Sequence, residues 1–386
     1  MTFLPRHPLL ACLLGALSLL VAQGSTRAQS ESPAPPETGA ASPAGVRHPP
    51  NDDPRLGAGK DNPFGVNALL FWTHFYSAEQ RKEAVRVLQA SGIGMVRLHF
   101  MWDQIEPVRG SRDWSLVDEV VHEVRAAGIG ILGVVSGSAA WAARAPDHAT
   151  HRDRVITPPL DLSLFTRFVD DLVTRYRDEI GYWEIWNEPN NRDFFHSWGQ
   201  REPDPGDYVG ILRAGFLTAK KVDPTCKVLL GGLAGDGIQS TPTHELTVDY
   251  LDKLYRLGAA PYFDILNVHP YPTTGPYEVQ IERARAVARR YGDGDKPIWV
   301  TEAHFDFKSQ GASRPAKVGL LLRRILETDS VERIFWYNLR DQAGLDGIAP
   351  LDCGLLDFDM KPKPALETYR EVIAEWKRRA TGEEPR

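Results

Sequence analysis

The sequence predicts an α/β fold, a single (β/α)8 TIM barrel, on three observations. A short apolar run alternates with an amphipathic stretch eight times between residues 62 and 378. No Gly-x-Gly-x-x-Gly follows the first run and no Gly-x4-Gly-Lys-Ser/Thr occurs, which counts against a doubly wound nucleotide-binding sheet. The runs also end in polar residues, as barrel strands do where they carry a site on their C-terminal rim.

The 386 residues, 42% hydrophobic and 25% charged, suffice for one large barrel with additional segments. A formal net charge of −6 argues against a nucleic-acid binder, which needs a Lys/Arg excess to displace phosphate counterions. Residues 1–28 read as a signal peptide: Arg6 precedes an apolar run from Leu9 to Val21, and small residues follow at Gly24 and Ala28. That run falls short of the ~20 residues a bilayer span requires. The expectation is therefore an exported protein, periplasmic or secreted, without a transmembrane span. Residues 29–58 carry Pro33, Pro35, Pro36, Pro43, Pro49, Pro50 and Pro54 among few apolar side chains, and read as a disordered Pro/Ala/Ser-rich linker. A catalytic domain is expected over 59–380. Cys226 and Cys353 fall near opposite ends of such a barrel and are not expected to pair.

Strands are expected, in order, over Phe64–Leu70, Met95–Phe100, Ile129–Ser136, Tyr182–Glu188, Lys227–Leu233, Phe263–His269, Ile298–Glu302 and Arg333–Asn338. Helices are expected over Ala78–Ala90, Leu116–Ala127, Leu162–Tyr176, Asp207–Val222, Thr247–Leu257, Tyr277–Tyr291, Pro315–Thr328 and Pro364–Arg378. Their apolar residues recur at spacings of three and four, as in Phe165, Phe168, Val169, Leu172 and Val173. Gly231 and Gly232 read as sites of close packing.

Polar residues gather where these strands end: Asn67, Arg97, His99, Asn187, Glu188, Asn267, His269, Tyr271, Glu302 and Asn338. Period-two alternation places Arg97 with His99, Glu188 with Trp186, and Asn267 with His269 and Tyr271. It groups Glu302 with Ile298 and Val300, as part of the packed barrel interior. Glu188 and Glu302 end the fourth and seventh strands. Glycosidic bond cleavage needs such a pair, one carboxylic acid to protonate the leaving oxygen and one carboxylate to attack the anomeric carbon or activate water.

The segment Trp186-Asn187-Glu188-Pro189-Asn190, followed by Phe194-Phe195, resembles the acid/base signature of glycoside hydrolase family 39, in the retaining clan A. Val300-Thr301-Glu302 resembles the clan's nucleophile strand, and Val96 to Gly110 with Asp113-Trp114, and Gly354 to Leu366, also fit that family and its neighbour family 5. The resemblance implies Glu188 as general acid/base and Glu302 as nucleophile. It implies Asn187 on the sugar 2-OH, Arg97 and Tyr271 orienting Glu302, His99 and His269 near the sugar or the glutamates, and Trp336 flooring the subsite. Trp102 and Trp141 follow strands two and three and are candidates to stack on neighbouring sugars, as is Trp198 after strand four. The chain's end soon after the eighth helix is similar to compact members that cut bacterial exopolysaccharide. The tail Ala303-His304-Phe305 differs from the Trp or Phe often found in the family directly after the nucleophile.

The expected activity is thus retaining endo-β-glycosidase action on a polysaccharide, with no cofactor and no metal, and with a polysaccharide export assembly as a candidate partner. An exo-acting, xylosidase-like β-glycosidase is the first alternative, and a carbohydrate-binding pseudoenzyme the second. The histidines at 148 and 151 lack zinc-ligand spacing, and Asp341, Asp346, Asp352, Asp357 and Asp359 lack EF-hand spacing.

Overall fold

The computed structural model describes residues 52–200, 202–235, 247–271, 276–304, 314–328, 331–342 and 351–382. The expected signal peptide, most of the expected linker and Asp346 lie outside the described residues. Nine parallel strands form one sheet: β1 (Phe64–Asn67), β2 (Met95–Met101), β3 (Gly130–Ser136), β4 (Tyr182–Ile185), β5 (Lys227–Leu230), β6 (Leu233–Ala234), β7 (Leu266–His269), β8 (Ile298–Ala303) and β9 (Val331–Trp336). They run in the order β5-β4-β3-β2-β1-β9-β8-β7-β6. β5 and β6 are one barrel strand broken at Gly231-Gly232, and a parallel bridge between Leu229 and Ile265 brings the two ends of the sheet together. The arrangement is a near-closed parallel barrel with helices outside, consistent with eight strand positions.

The helices fall where apolar periodicity puts them, and side-chain caps set their starts. Helix α1 (Ala78–Ala90) begins in a capping box, with Ser77 and Gln80 each bonded to the other's backbone. The later helix Leu162–Tyr176 starts on Asp161, and Pro205–Val222 starts on Asp204 with proline in its first turn. Two short helices, Trp102–Ile105 and His151–Val155, are too brief to show a period in sequence.

The side chains split into two layers. Phe64 on β1 packs edge-on against Tyr369 and Trp376 of the last helix, Pro364–Thr381, so that face of the sheet meets the helices. The opposite face fills the barrel with Met95, Leu132, Tyr182, Leu229, Ile265, Trp299 and Phe335. Leu56 joins this inner cluster. That corrects the boundary of the expected linker: residues 52–58 are folded against the barrel, because Leu56 is wholly buried and its neighbours are tied down. Arg55 bonds Asp53 and Asp223, Arg125 donates to the Arg55 carbonyl, and the Ala58 amide donates to the Gly128 carbonyl. Cys226 and Cys353 are buried free thiols.

One correction bears directly on the site. Ile298 and Val300 lie in the helix-facing cluster, whereas Trp299 lies in the inner one. Val300 pairs with Ile334 but Ala303 pairs with Trp336, so Thr301 and Glu302 together oppose the single residue Phe335. This β-bulge turns two consecutive side chains toward the barrel interior, which strict alternation forbids. Glu302 therefore faces inward although Ile298 and Val300 face outward.

Candidate active site

Arg97 is the centre of the site. It projects inward from β2 and is inaccessible to solvent, as is Glu184 from β4. Its Nε and Nη2 grip the two Glu184 oxygens at 2.8 Å each, a bidentate pairing whose geometry only a guanidinium provides. Nη2 also donates to Asn187 Oδ1 at 2.7 Å, and Nη1 to Asn67 Oδ1 at 2.9 Å and Glu302 Oε1 at 2.5 Å. Burial opposes this charge, but Glu184 and Glu302 hold the guanidinium more firmly protonated than an ordinary arginine. One cation thus ties the ends of four strands together.

Glu302 receives a second donor, Tyr271 Oη, at 2.7 Å from its other oxygen. Burial, reinforced by the charges of Glu302 and Glu188, raises the Tyr271 phenol well above its usual range and keeps it a donor. Glu188 sits in a different setting. Burial pushes its carboxyl up to about 7, against the lowering effects of an Asn191 Nδ2 bond at 2.9 Å and the Arg97 charge. His269 Nδ1 lies 3.0 Å from Glu188 Oε1 and 3.8 Å from Glu302 Oε2. Burial pushes His269 down to about 4, so it is neutral near pH 7. His99, whose Nε2 is 3.2 Å from Arg97 Nη1, is lowered further by burial and by the positive charge beside it.

The chain turns sharply to present Glu188. β4 ends at Ile185 rather than at residue 188, because Trp186 (φ 72°) and Glu188 (φ 44°) enter the left-handed region. Such positions cost a bulky residue roughly 1–3 kcal/mol and persist only where surroundings enforce them. Here the Trp186 amide donates to Val135 O, its Nε1 to Phe194 O, and the Glu188 amide to Gly232 O.

Seven of the ten expected residues converge: Glu188, Glu302, Arg97, His99, Asn187, His269 and Tyr271. Trp102 does not. It is fully buried, stacked on Phe168 at 5.4 Å and bonded through Nε1 to Glu106, so it is a core residue and the sugar-stacking expectation is corrected. We expect Trp102→Ala to lower stability by about 3–5 kcal/mol, with KM of the folded fraction within twofold of wild type; denaturant unfolding alongside steady-state kinetics checks both. Trp336 is also displaced from its expected role. Its register partners Val66 and Ala303 belong to the helix-facing layer, and its Nε1 donates to Cys353 O. The ring beside the carboxylates at this strand end is Tyr337, whose hydroxyl burial and the Glu302 charge together push upward. Trp141 is half-buried after β3, its Nε1 on Glu106 O, its edge on Trp102 and Arg109 over its face. Trp198 ties loops together through Thr157.

Sequence reasoning placed Asn67 and Thr301 at strand ends without giving either a role, and passed over Glu184, Asn191 and Tyr337. Glu184 left a signal: a charge in the middle of the run Tyr182–Ile185 has nowhere to point but into the interior. Two of the acidic residues late in the chain, Asp341 and Asp352, share a structural partner in Lys363. Glu188, His269 and Glu302 each offer one ligand atom within 4.8 Å of the others. Arg97 already supplies the cation at Glu302, which disfavours a divalent ion there.

Two buried carboxylates at the C-terminal rim of a parallel barrel, with oxygens within 4.8 Å of one another, are what the sites of glycoside hydrolases contain. Comparison with known proteins points the same way. The model of glycoside hydrolase family 42, described as beta-galactosidase, matches residues 72–153. A beta-xylosidase of Caldicellulosiruptor saccharolyticus is 28% identical over 144 residues, 35% of this chain and 26% of that protein. The barrel is similar to a family 39 glycoside hydrolase from Bacteroides cellulosilyticus WH2, with a TM-score of 0.63 and 20% identity over 83% of this chain and 64% of that one. It is also similar to a family 39 enzyme from Xanthomonas axonopodis pv. citri (TM-score 0.63, 18% identity, 83% and 67% covered) and to a family 39 beta-xylosidase from Caulobacter crescentus (0.60, 18%, 81% and 71%). The chain thus spans about a quarter of the matched xylosidase and under two thirds of the Bacteroides protein. Its fold is that of clan A glycoside hydrolases similar to family 39. Among the described residues, no helix is long and apolar enough to cross a membrane.

Proposed function

We propose that this chain is a retaining glycoside hydrolase in which Glu302 attacks the anomeric carbon and Glu188 protonates the leaving oxygen. The observation that carries the reading is the contrast between two neighbouring carboxyls. Glu302 accepts from Arg97 and Tyr271, while burial holds Glu188 up to about 7. Carboxylate oxygens within 4.8 Å of one another suit direct attack, whereas the inverting mechanism sets the two carboxyl groups roughly 6.5–9.5 Å apart to seat a water. Asn187 gives its Oδ1 to Arg97, which aims its amide nitrogen at a sugar hydroxyl. In the second half-reaction Glu188, now ionised, takes a proton from the water that releases the sugar.

The proposed substrate is a polysaccharide cut internally, including the exopolysaccharide of the source cell, by an enzyme exported through residues 1–28. Oligosaccharides in the product spectrum support internal cleavage, and monosaccharide alone supports the exo-acting alternative. The first-formed anomer, followed by NMR, must keep the substrate's configuration; inversion overturns the mechanism.

Glu188 acts first as an acid, so turnover is lost as pH rises through its pKa. The alkaline limb of kcat/KM is expected near pH 7. Glu188→Gln is expected to cost about 10²–10⁴-fold on unactivated glycosides and to erase that limb. On an aryl glycoside with a good leaving group its first step should be nearly unimpaired, visible as a burst in rapid-quench kinetics.

A further inference from the structure

We propose that Thr301 and Asn267, with Gly232 as the seat of the ring, are positioning residues that fix the tautomer of His269 and thereby hold the proton of the first half-reaction on Glu188. The inference rests on the glycosidase reading for its kinetic consequence, but the tautomer itself does not. The chain of contacts is short, buried and directional. The Thr301 hydroxyl donates to Asn267 Oδ1 at 3.0 Å, which spends its only proton. With the Asn267 amide oriented so, His269 Nε2, 2.9 Å from the same hydroxyl oxygen, is the donor of that pair.

A neutral imidazole carries one proton. With that proton on Nε2, Nδ1 is bare and can only accept from its neighbour Glu188 Oε1 at 3.0 Å. The carboxyl must therefore be the protonated partner, which is the state an acid catalyst needs.

Gly232 makes the ring's position possible. A Cβ there would stand 2.0 Å from His269 Nε2, while the Gly232 amide donates to Glu184 Oε1 and its carbonyl accepts from the Glu188 amide. The break between β5 and β6 thus places one residue against three members of the site. The groups facing Glu188 are His269 from β7, Arg97 from β2, Glu184 from β4, Glu302 from β8, Tyr271 beyond β7, and Asn191 and Asp193 from its own loop. Among these groups His269 Nδ1 is the neutral acceptor in hydrogen-bond contact with Glu188, since Asn191 donates to it and Tyr271 and Arg97 bond Glu302.

The test uses Thr301→Val and Thr301→Ser in the full chain. In ¹⁵N-histidine-labelled protein, with His269→Asn identifying the resonances, wild type and Thr301→Ser should show Nε2 protonated and Nδ1 bare. Thr301→Val should move protonation to Nδ1, where it donates to the Glu188 carboxylate. A protonated Nδ1 in wild type overturns the proposal whether or not any glycoside is cleaved. In kinetics, Thr301→Val should carry the alkaline limb of kcat/KM about one pH unit lower, with Thr301→Ser leaving it in place. An unmoved limb in folded Thr301→Val, or equal shifts in both variants, also overturns it. Wild type that cleaves no glycoside would instead remove the proposed function, leaving the tautomer measurement to decide the relay.

Discussion

Glu302→Gln is expected to lower kcat/KM by about a thousandfold or more, a barrier increase of roughly 4 kcal/mol or above. The amide has nearly the shape of the carboxylate, so Tyr271 and Arg97 keep a partner at this position, but it cannot form the covalent bond to the sugar. Binding should survive, because the groups that would meet hydroxyls, Asn187 and His99, are untouched. The measurement is turnover of an activated glycoside together with ligand affinity by calorimetry. Wild-type-like turnover would remove Glu302 from the chemistry. Lost affinity with intact residual turnover would make it a binding residue only.

Arg97→Met should have the largest combined effect on folding and activity. The substitution leaves Glu184 buried with no cation, and truncating one partner of a buried pair costs about 3–5 kcal/mol. It also removes a donor from Glu302 and the acceptor's anchor for Asn187, so the folded remainder should be inactive. The double replacement Arg97→Met with Glu184→Gln separates the two losses. With the stranded charge gone, much of the stability should return, since buried ion pairs can be replaced at little net cost. Activity should not return. Chemical denaturation of the three proteins reads the first effect and turnover the second. If the single and double replacements are equally unstable, the guanidinium acts through packing rather than charge.

The barrel could be read from the sequence because its signals are periodic. Phe165, Phe168, Val169, Leu172 and Val173 announce their helix whatever lies around them, and the helices Ala78–Ala90 and Leu162–Tyr176 begin and end where the pattern does. The two glutamates were also legible, since Asn187-Glu188-Pro189 and Thr301-Glu302 end strands of the right order. What escaped depends on single backbone choices that leave no period. Trp186 and Glu188 take positive φ although neither is glycine, so β4 stops three residues early. The bulge in β8 reverses the parity on which the inward-facing residues were counted. The same parity, carried along β9, assigns Tyr337 to the site and Trp336 to the core, against the ordinary inclination to choose tryptophan as a sugar platform. Trp102 misled for a related reason. Its position after a strand end matched a rim residue, but the short helix Trp102–Ile105 folds its ring back onto Phe168.

The bulge has a mechanical meaning as well. Thr301 and Glu302 are adjacent in the chain, their Cα atoms separated by about 3.8 Å across a single rigid peptide plane. The anchor of the histidine and the attacking carboxylate therefore travel as one body. Motion of the loops above the barrel can change what reaches them, yet it cannot alter the distance between them. The acid, by contrast, hangs from a turn on the far side of the histidine. Two links tie that turn back to the nucleophile, the contact between Glu188 and His269 and the Arg97 bonds to Asn187 and Glu302.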